Sequence, residues 1–225
     1  MMQMNRKNRV EKLLLMNGNL STVIHHFSPD RFIVCCHGLY SSKESKKYVE
    51  MAKMAGEKGI SVIRFDFRGC GESAGGIHDS TLGNRTEDLR QVIKYVRRRF
   101  NSPKIALFGS SLGGMVAIVV SATDGKISSL AVLSTPCEIK GDLGMGKRFM
   151  EDLKNYDILE AVKRVPPILV IHGRNDELVP VEHAERIYAG APEDKKIMFF
   201  DADHSFSVFR KEALAEALKW MEKHF

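Results

Sequence analysis

Gly109-Ser110-Ser111-Leu112-Gly113-Gly114 lies between two apolar runs, Ile105–Phe108 before it and Met115–Val120 after it. The first run predicts a strand and the second a helix. Between them the chain reads G-x-S-x-G with Ser111 at the centre, the pattern of a serine set on a tight strand-to-helix turn. A side chain held on so sharp a bend leaves little room two positions before and after it, and glycine tolerates the strained backbone. The helix that follows turns its N-terminal N–H groups and positive dipole end toward the serine. Ser111 is therefore a candidate nucleophile. The competing reading is a small-residue turn, and the rest of the chain decides between them.

Outward from this unit, apolar segments alternate with amphipathic ones. Val10–Met16 and Leu20–Phe27 flank Asn17-Gly18, a two-residue hairpin signal. Further strands are expected at Phe32–Cys36, Ser61–Phe67, Ile127–Ser134, Ile168–His172 and Lys196–Phe200. Helical spacing of apolar residues marks 43–58, Thr86–Phe100, Val181–Tyr188 and Phe206–Phe225. Strands alternating with helices imply right-handed crossovers and a mostly parallel sheet. The expected architecture is α/β, with about eight strands and helices on both faces. Ligands bind at the carboxyl ends of such strands. There the chain carries His37-Gly38-Leu39, then Ser111, then Gly173-Arg174-Asn175-Asp176, then Asp201-Ala202-Asp203-His204.

Serine, aspartate and histidine thus follow in that order, each just past a different strand. In CCHGLYSSKES, RFDFRGCGES, GSSLGG, VIHGRNDELVP and DADHSF the chain resembles the α/β-hydrolase family, serine carboxylesterases and feruloyl esterases among them. The resemblance covers nearly everything after the first hairpin. It implies the α/β-hydrolase fold and a triad of Ser111, Asp176 and His204. A serine hydroxyl needs a base within hydrogen-bond reach. Imidazole titrates near neutrality and can return the proton to the leaving group, and a carboxylate behind it fixes its tautomer. The resemblance also implies an oxyanion hole from the backbone N–H groups of Leu39 and Leu112.

Other residues compete for these roles. Glu177 is the second choice for the acid. Asp201 and Asp203 read as turn or capping residues, His172 as structural, and His37 as a shaping residue of the oxyanion loop. His78, in the loop after the glycine turn, is a candidate pocket residue. Residues 137–164 read as a small cap inserted in a single domain spanning 1–225, with an amphipathic piece over Phe149–Leu159. Phe149, Leu153 and Tyr156 are its candidate pocket wall; the alternative is that they merely seat the insertion on the sheet.

Composition bounds the rest. The 225 residues are 44% hydrophobic and 28% charged, with a formal net charge of +6. Arg97-Arg98-Arg99 ends a predicted helix, where cations suit the dipole, and no aromatic interleaving makes it a nucleic-acid patch. Cys35, Cys36, Cys70 and Cys137 show no zinc or C-x-x-C spacing and fit a reducing compartment; the adjacent Cys35 and Cys36, inside an apolar run, read as small buried hydrophobes. The apolar run after the basic N-terminus is too short for a signal peptide, and no run is long enough to span a membrane. A cytoplasmic enzyme without metal or cofactor is expected; a homodimer is compatible with the sequence. Gly141–Lys147 matches G-x-x-x-x-G-K, but Arg148 stands where Ser or Thr would hold magnesium and no strand feeds it. The expected reaction is hydrolysis of small-molecule esters with short-to-medium or aromatic acyl groups. Thioester or acyl-peptide cleavage is the alternative within the fold, and a non-catalytic ligand-binding module the alternative outside it.

Overall fold

A computed structural model describes residues 9–141 and 143–225. Eight strands form one sheet: β1 (Arg9–Leu15), β2 (Leu20–His26), β3 (Arg31–Cys36), β4 (Ser61–Phe65), β5 (Lys104–Ser110), β6 (Ile127–Leu133), β7 (Ile168–Gly173) and β8 (Lys195–Phe200). Their order is β1-β2-β4-β3-β5-β6-β7-β8. β2 is antiparallel to both its neighbours, and every other pairing is parallel. The helices are α1 (Lys46–Glu57), α2 (Leu82–Arg99), α3 (Leu112–Ser121), α4 (Lys147–Leu153), α5 (Ile158–Val162), α6 (Val181–Gly190) and α7 (Arg210–Lys223).

The strands are continuously apolar because both faces are covered. Phe32, Val34 and Cys36 of β3 join Ile105 and Leu107 of β5 beneath α2, α3, α5 and α6. The alternate residues Ile33, Cys35, Ala106 and Phe108 face the other way, against α1 and α7. All ten residues of α3 are buried, which is why it is apolar all round rather than striped. The four cysteines are free and buried. Among the described residues no helix is long and apolar enough to cross a membrane.

Parallel register aligns the strand ends. Gly109 of β5 stands opposite Cys36 of β3, Ser110 opposite Leu133 of β6, and Leu133 opposite Ile171 of β7. Residues just past these ends therefore share one rim.

Of the boundaries that differ from expectation, four have a plain physical reason. The first hairpin turns through four residues, 16–19, rather than two: Met16, Asn17 and Gly18 all have positive φ, and Asn19 N–H donates to Leu15 O at 2.9 Å. α2 starts a turn early because Thr81 caps it, its hydroxyl accepting from Asn84 N–H at 3.2 Å. β4 stops at Phe65 because buried Asp66 turns to the backbone N–H and Nζ of Lys43, at 2.6 and 2.7 Å. α7 starts only at Arg210, since Phe206 and Phe209 lie in the left-handed region at φ 54° and 60°.

Candidate active site

Ser111 sits between β5 and α3 with φ 54° and ψ −127°. Such a backbone costs a non-glycine residue about 1–3 kcal/mol and persists only when its surroundings hold it. Its N–H donates to Leu133 O on β6 at 2.9 Å. The glycines around it allow the close approach. A Cβ on Gly109 would run into the backbone of Gly113 and Gly114, one on Gly113 into the carbonyls of Cys36 and His37, and one on Gly114 into Thr135 Oγ1. Here α3 is pressed against β3 and β6 with no space for a methyl group.

Asp176 and His204 leave β7 and β8 and meet. His204 Nδ1 lies 2.9 Å from both oxygens of Asp176. A carboxylate only accepts, so Nδ1 carries the proton and Nε2 is left as the basic nitrogen. The Asp176 side chain has no exposed surface, while that of His204 is 14% exposed. Burial alone would raise the Asp176 pKa. Hydrogen bonds from His172, His204 and the Val179 N–H outweigh it and hold the carboxyl well below the ordinary aspartate range. Leu178 and Val179 N–H donate to Oδ1 at 3.0 and 2.8 Å. Glu177 instead accepts from the backbone N–H of His204 at 3.2 Å, so it touches the histidine but not its ring. Ser134, the residue after β6, donates its hydroxyl to His204 O at 3.1 Å. The rim of β5, β6 and β8 is thus joined through Leu133, Ser134 and the backbones of Ser111 and His204.

The loop after β3 lies against the serine. A Cβ on Gly38 would stand 3.2 Å from Ser111 Cβ and 3.7 Å from its Oγ. Among the described residues, the N–H groups of Leu39 and Leu112 donate to no protein acceptor. His37 is buried between this loop and Phe67. Phe67 N–H donates to its Nε2 at 3.1 Å, so Nδ1 bears the proton and donates to Gly38 O at 2.8 Å. Burial, helped by the charge of Arg85, pushes the His37 pKa down to about 3.

The inserted segment carries α4 and α5 in place of one amphipathic piece. Phe149 is fully buried in the main core. Leu153 and Tyr156 are partly buried against the same cluster. A Cβ on Gly83 would come within 3.0 Å of Tyr156 OH, and Asp152 accepts from Gly83 N–H at 2.8 Å, so this segment is seated on the start of α2. His78, in a 3-10 turn at Ile77–Asp79, has Nδ1 3.2 Å from Met145 O. Tyr40, just past Leu39, donates to Leu143 O at 2.8 Å. A cleft of about 550 Å³ runs beside this loop, lined by Tyr40, Ser42, Glu44, Cys70, Gly71 and Ile77 among others.

Other motifs find plain roles. Asp203 caps a turn, accepting from the N–H and hydroxyl of Ser207 at 2.7 and 2.6 Å. Arg97 forks onto Asp124 at 2.7 and 2.8 Å, and Arg99 onto Glu11 at 2.9 Å twice, so two of the three terminal arginines are paired within the chain. In the G-x-x-x-x-G-K match, Asp142 lies outside the described residues, as do residues 1–8 of the basic N-terminus.

Three contacts went unseen in the sequence. His172, read as structural, has Nε2 2.8 Å from Val179 O and 3.3 Å from Asp176 Oδ2. It therefore holds the loop that carries Asp176, and its buried Nδ1 has no partner among the described residues. Lys47 donates to Ser110 Oγ at 2.9 Å; burial, with the charge of Arg210, pushes its pKa down to about 8. Arg85 is fully buried. It lies on the apolar stripe Leu82, Leu89, Val92, Val96 of α2, and a charge on such a stripe was the available signal.

Residues 28–158, more than half of the chain, match the sequence profile described as serine aminopeptidase, S33. The chain belongs to this family. Its fold is the α/β-hydrolase fold. Residues 141–225 also match the prolyl oligopeptidase family. The uncharacterized Escherichia coli (strain K12) protein YfhR is 26% identical over 163 residues, covering 66% of this chain and 54% of that protein. The chain thus spans about half the length of the first curated relatives it matches. The Rattus norvegicus palmitoyl-protein thioesterase ABHD10, mitochondrial, is 26% identical over 208 residues, covering 76% of this chain and 68% of that protein. Est1E from Butyrivibrio proteoclasticus, in a structure with ferulic acid bound, superposes with a TM-score of 0.82 at 18% identity, over 91% of this chain and 95% of that one. The S33 member described here shares with it the fold.

Proposed function

We propose that the protein is a serine hydrolase that cleaves carboxylic esters through an acyl-enzyme on Ser111. The observation that carries this reading is the bond from His204 Nδ1 to a buried Asp176, on the same rim as a serine in strained backbone. In the proposed reaction His204 Nε2 takes the Ser111 proton as Oγ attacks the ester carbon. The oxyanion forms against the N–H groups of Leu39 and Leu112. The imidazolium, stabilised by Asp176, returns the proton to the departing alcohol. Water, activated by the same nitrogen, then releases the acid and regenerates Ser111.

Residues 1–225 act as one domain, and residues 137–164 serve as a small cap. A cap of this size suits short-to-medium or aromatic acyl groups, which is also the direction in which Est1E and its ferulic acid point. ABHD10 favours a second reading, thioester cleavage, by the same parts.

The test is labelling by a fluorophosphonate probe together with turnover of p-nitrophenyl acetate. Ser111 is expected to carry the label, and Ser111→Ala to lose both. A panel of aliphatic and aromatic esters, thioesters and an acyl-peptide then ranks the substrates. A wild type that neither labels nor turns over any of them removes the proposal.

A further inference from the structure

Arg85 is the largest side chain with no exposed surface. Burying a guanidinium costs several kcal/mol unless its donors and charge are matched. No carboxylate matches it: among the described residues Arg85 makes no ion pair, and Asp88 on the next turn is taken by Arg68 at 2.7 Å. Instead Nε donates to Ser80 Oγ at 2.9 Å and Nη2 to Cys70 Sγ at 3.3 Å. The guanidinium also stacks over Phe67 at 4.7 Å from the ring centre. Its remaining nitrogen, Nη1, donates to His37 O at 3.1 Å and Gly38 O at 3.4 Å. These are the two carbonyls of the loop that lies against Ser111.

A trans peptide points its C=O and N–H in opposite directions, and the described residues contain no cis peptide. Gly38 O is held inward by Arg85 and by the Nδ1–H of His37. The N–H of the same peptide belongs to Leu39, so it is turned away from Arg85. Gly38 itself flanks Ser111. We infer that Arg85 is a positioning residue for the oxyanion site: its buried guanidinium, with neutral His37, clamps the carbonyls of residues 37 and 38 and so aims the Leu39 N–H at the reacting centre. The inference rests on the hydrolase reading proposed above.

If so, its loss should weaken transition-state stabilisation with little effect on substrate binding. Removing one oxyanion donor outright costs ~10²–10³-fold in rate; misaiming one should cost less. For Arg85→Gln the expectation is a fall in kcat of roughly 10- to 100-fold with KM within about threefold. Arg85→Lys, which keeps the charge but not the fork, should fall between Arg85→Gln and wild type. The discriminating measurement compares an ester with its thiono analogue. Sulfur is the poorer hydrogen-bond acceptor, so wild type should prefer the oxygen ester, and that preference should shrink in Arg85→Gln.

Thermal melts establish which variants are folded. A folded variant with unchanged kcat, or one slowed equally on both esters, overturns the inference. Unfolding of both variants also overturns it, because Arg85 would then hold the fold rather than the loop. An inactive, unlabelled wild type removes the hydrolase reading instead.

Discussion

His204 Nδ1 stands 2.9 Å from each oxygen of Asp176, whose side chain is wholly buried, while Glu177 reaches only the backbone N–H of the same histidine. The two neighbouring carboxylates therefore have separable roles. Asp176→Asn keeps the shape but offers an amide where the ring needs an acceptor, and kcat is expected to fall by about 10⁴-fold. Glu177→Gln should stay within a few-fold of wild type. Steady-state kinetics on p-nitrophenyl acetate checks both; equal losses in the two variants would contradict the separation.

Acid should destabilise the fold through two histidines, His25, which is half-buried, and His37, which is buried. Burial pushes His25 down to about 4, and burial with the Arg85 charge pushes His37 down to about 3. Near neutral pH neither state is protonated and neither group contributes. Below ~6.5, the ordinary value, the unfolded chain takes up protons that the native one refuses. Stability then falls with pH, by up to about 1.4 kcal/mol per pH unit for each group, until the native pKa is reached. Denaturant melts between pH 7 and pH 4.5 should show this slope, and His25→Asn should flatten part of it.

Asp176 acts in the same direction at lower pH, because its native pKa is lowered too. Its depressed native pKa contributes stability in full above the unfolded value of ~4, and this is lost as pH falls through the native value. In Asp176→Asn that part of the acid limb should be missing, as melts below pH 5 would read.

Gly113→Ala should be costly. The added Cβ meets the Cys36 and His37 carbonyls, backbone groups that cannot swing aside. A loss of at least about 1–3 kcal/mol is expected from overpacking. Gly125→Ala is the control, because nothing lies within 4 Å of its Cβ, and should stay within about 0.5 kcal/mol. Chemical denaturation of both variants measures the difference.

Phe149 and Tyr156 test what the inserted segment does. Phe149 has no exposed surface and joins the main core, so Phe149→Ala should cost about 3–5 kcal/mol and slow all substrates alike. Tyr156→Ala, at a partly buried site, should cost less. If instead Phe149→Ala leaves stability intact and changes acyl preference, it lines the pocket.

The order of elements was legible because both periodicities were strong: fully buried strands read as unbroken apolar runs, and amphipathic helices as stripes. Glycine spacing around Ser111 was legible for the same steric reason that the structure displays. What stayed hidden was any contact made by a side chain outside a motif. Arg85 interrupts a stripe that otherwise reads as ordinary core. His172 looks like any strand-end residue until its Nε2 is seen beside Asp176. Helix starts were hidden where Gly83 and Asn84, poor helix formers, occupy a first turn that Thr81 caps.

Ser110 ends β5 and Ser111 follows it in the turn, and the two hydroxyls have different neighbours. Ser110 Oγ receives the Lys47 ammonium, whereas the Ser111 side chain lies against Gly38. Side chains alternate along a strand, so slippage of β5 by one position against β3 and β6 would carry Ser110 to the opposite face and draw Ser111 out of its turn. Which of two consecutive serines acquires a covalent tag would distinguish correctly assembled molecules from mispaired ones in a refolding mixture, and peptide mapping would count the two populations directly.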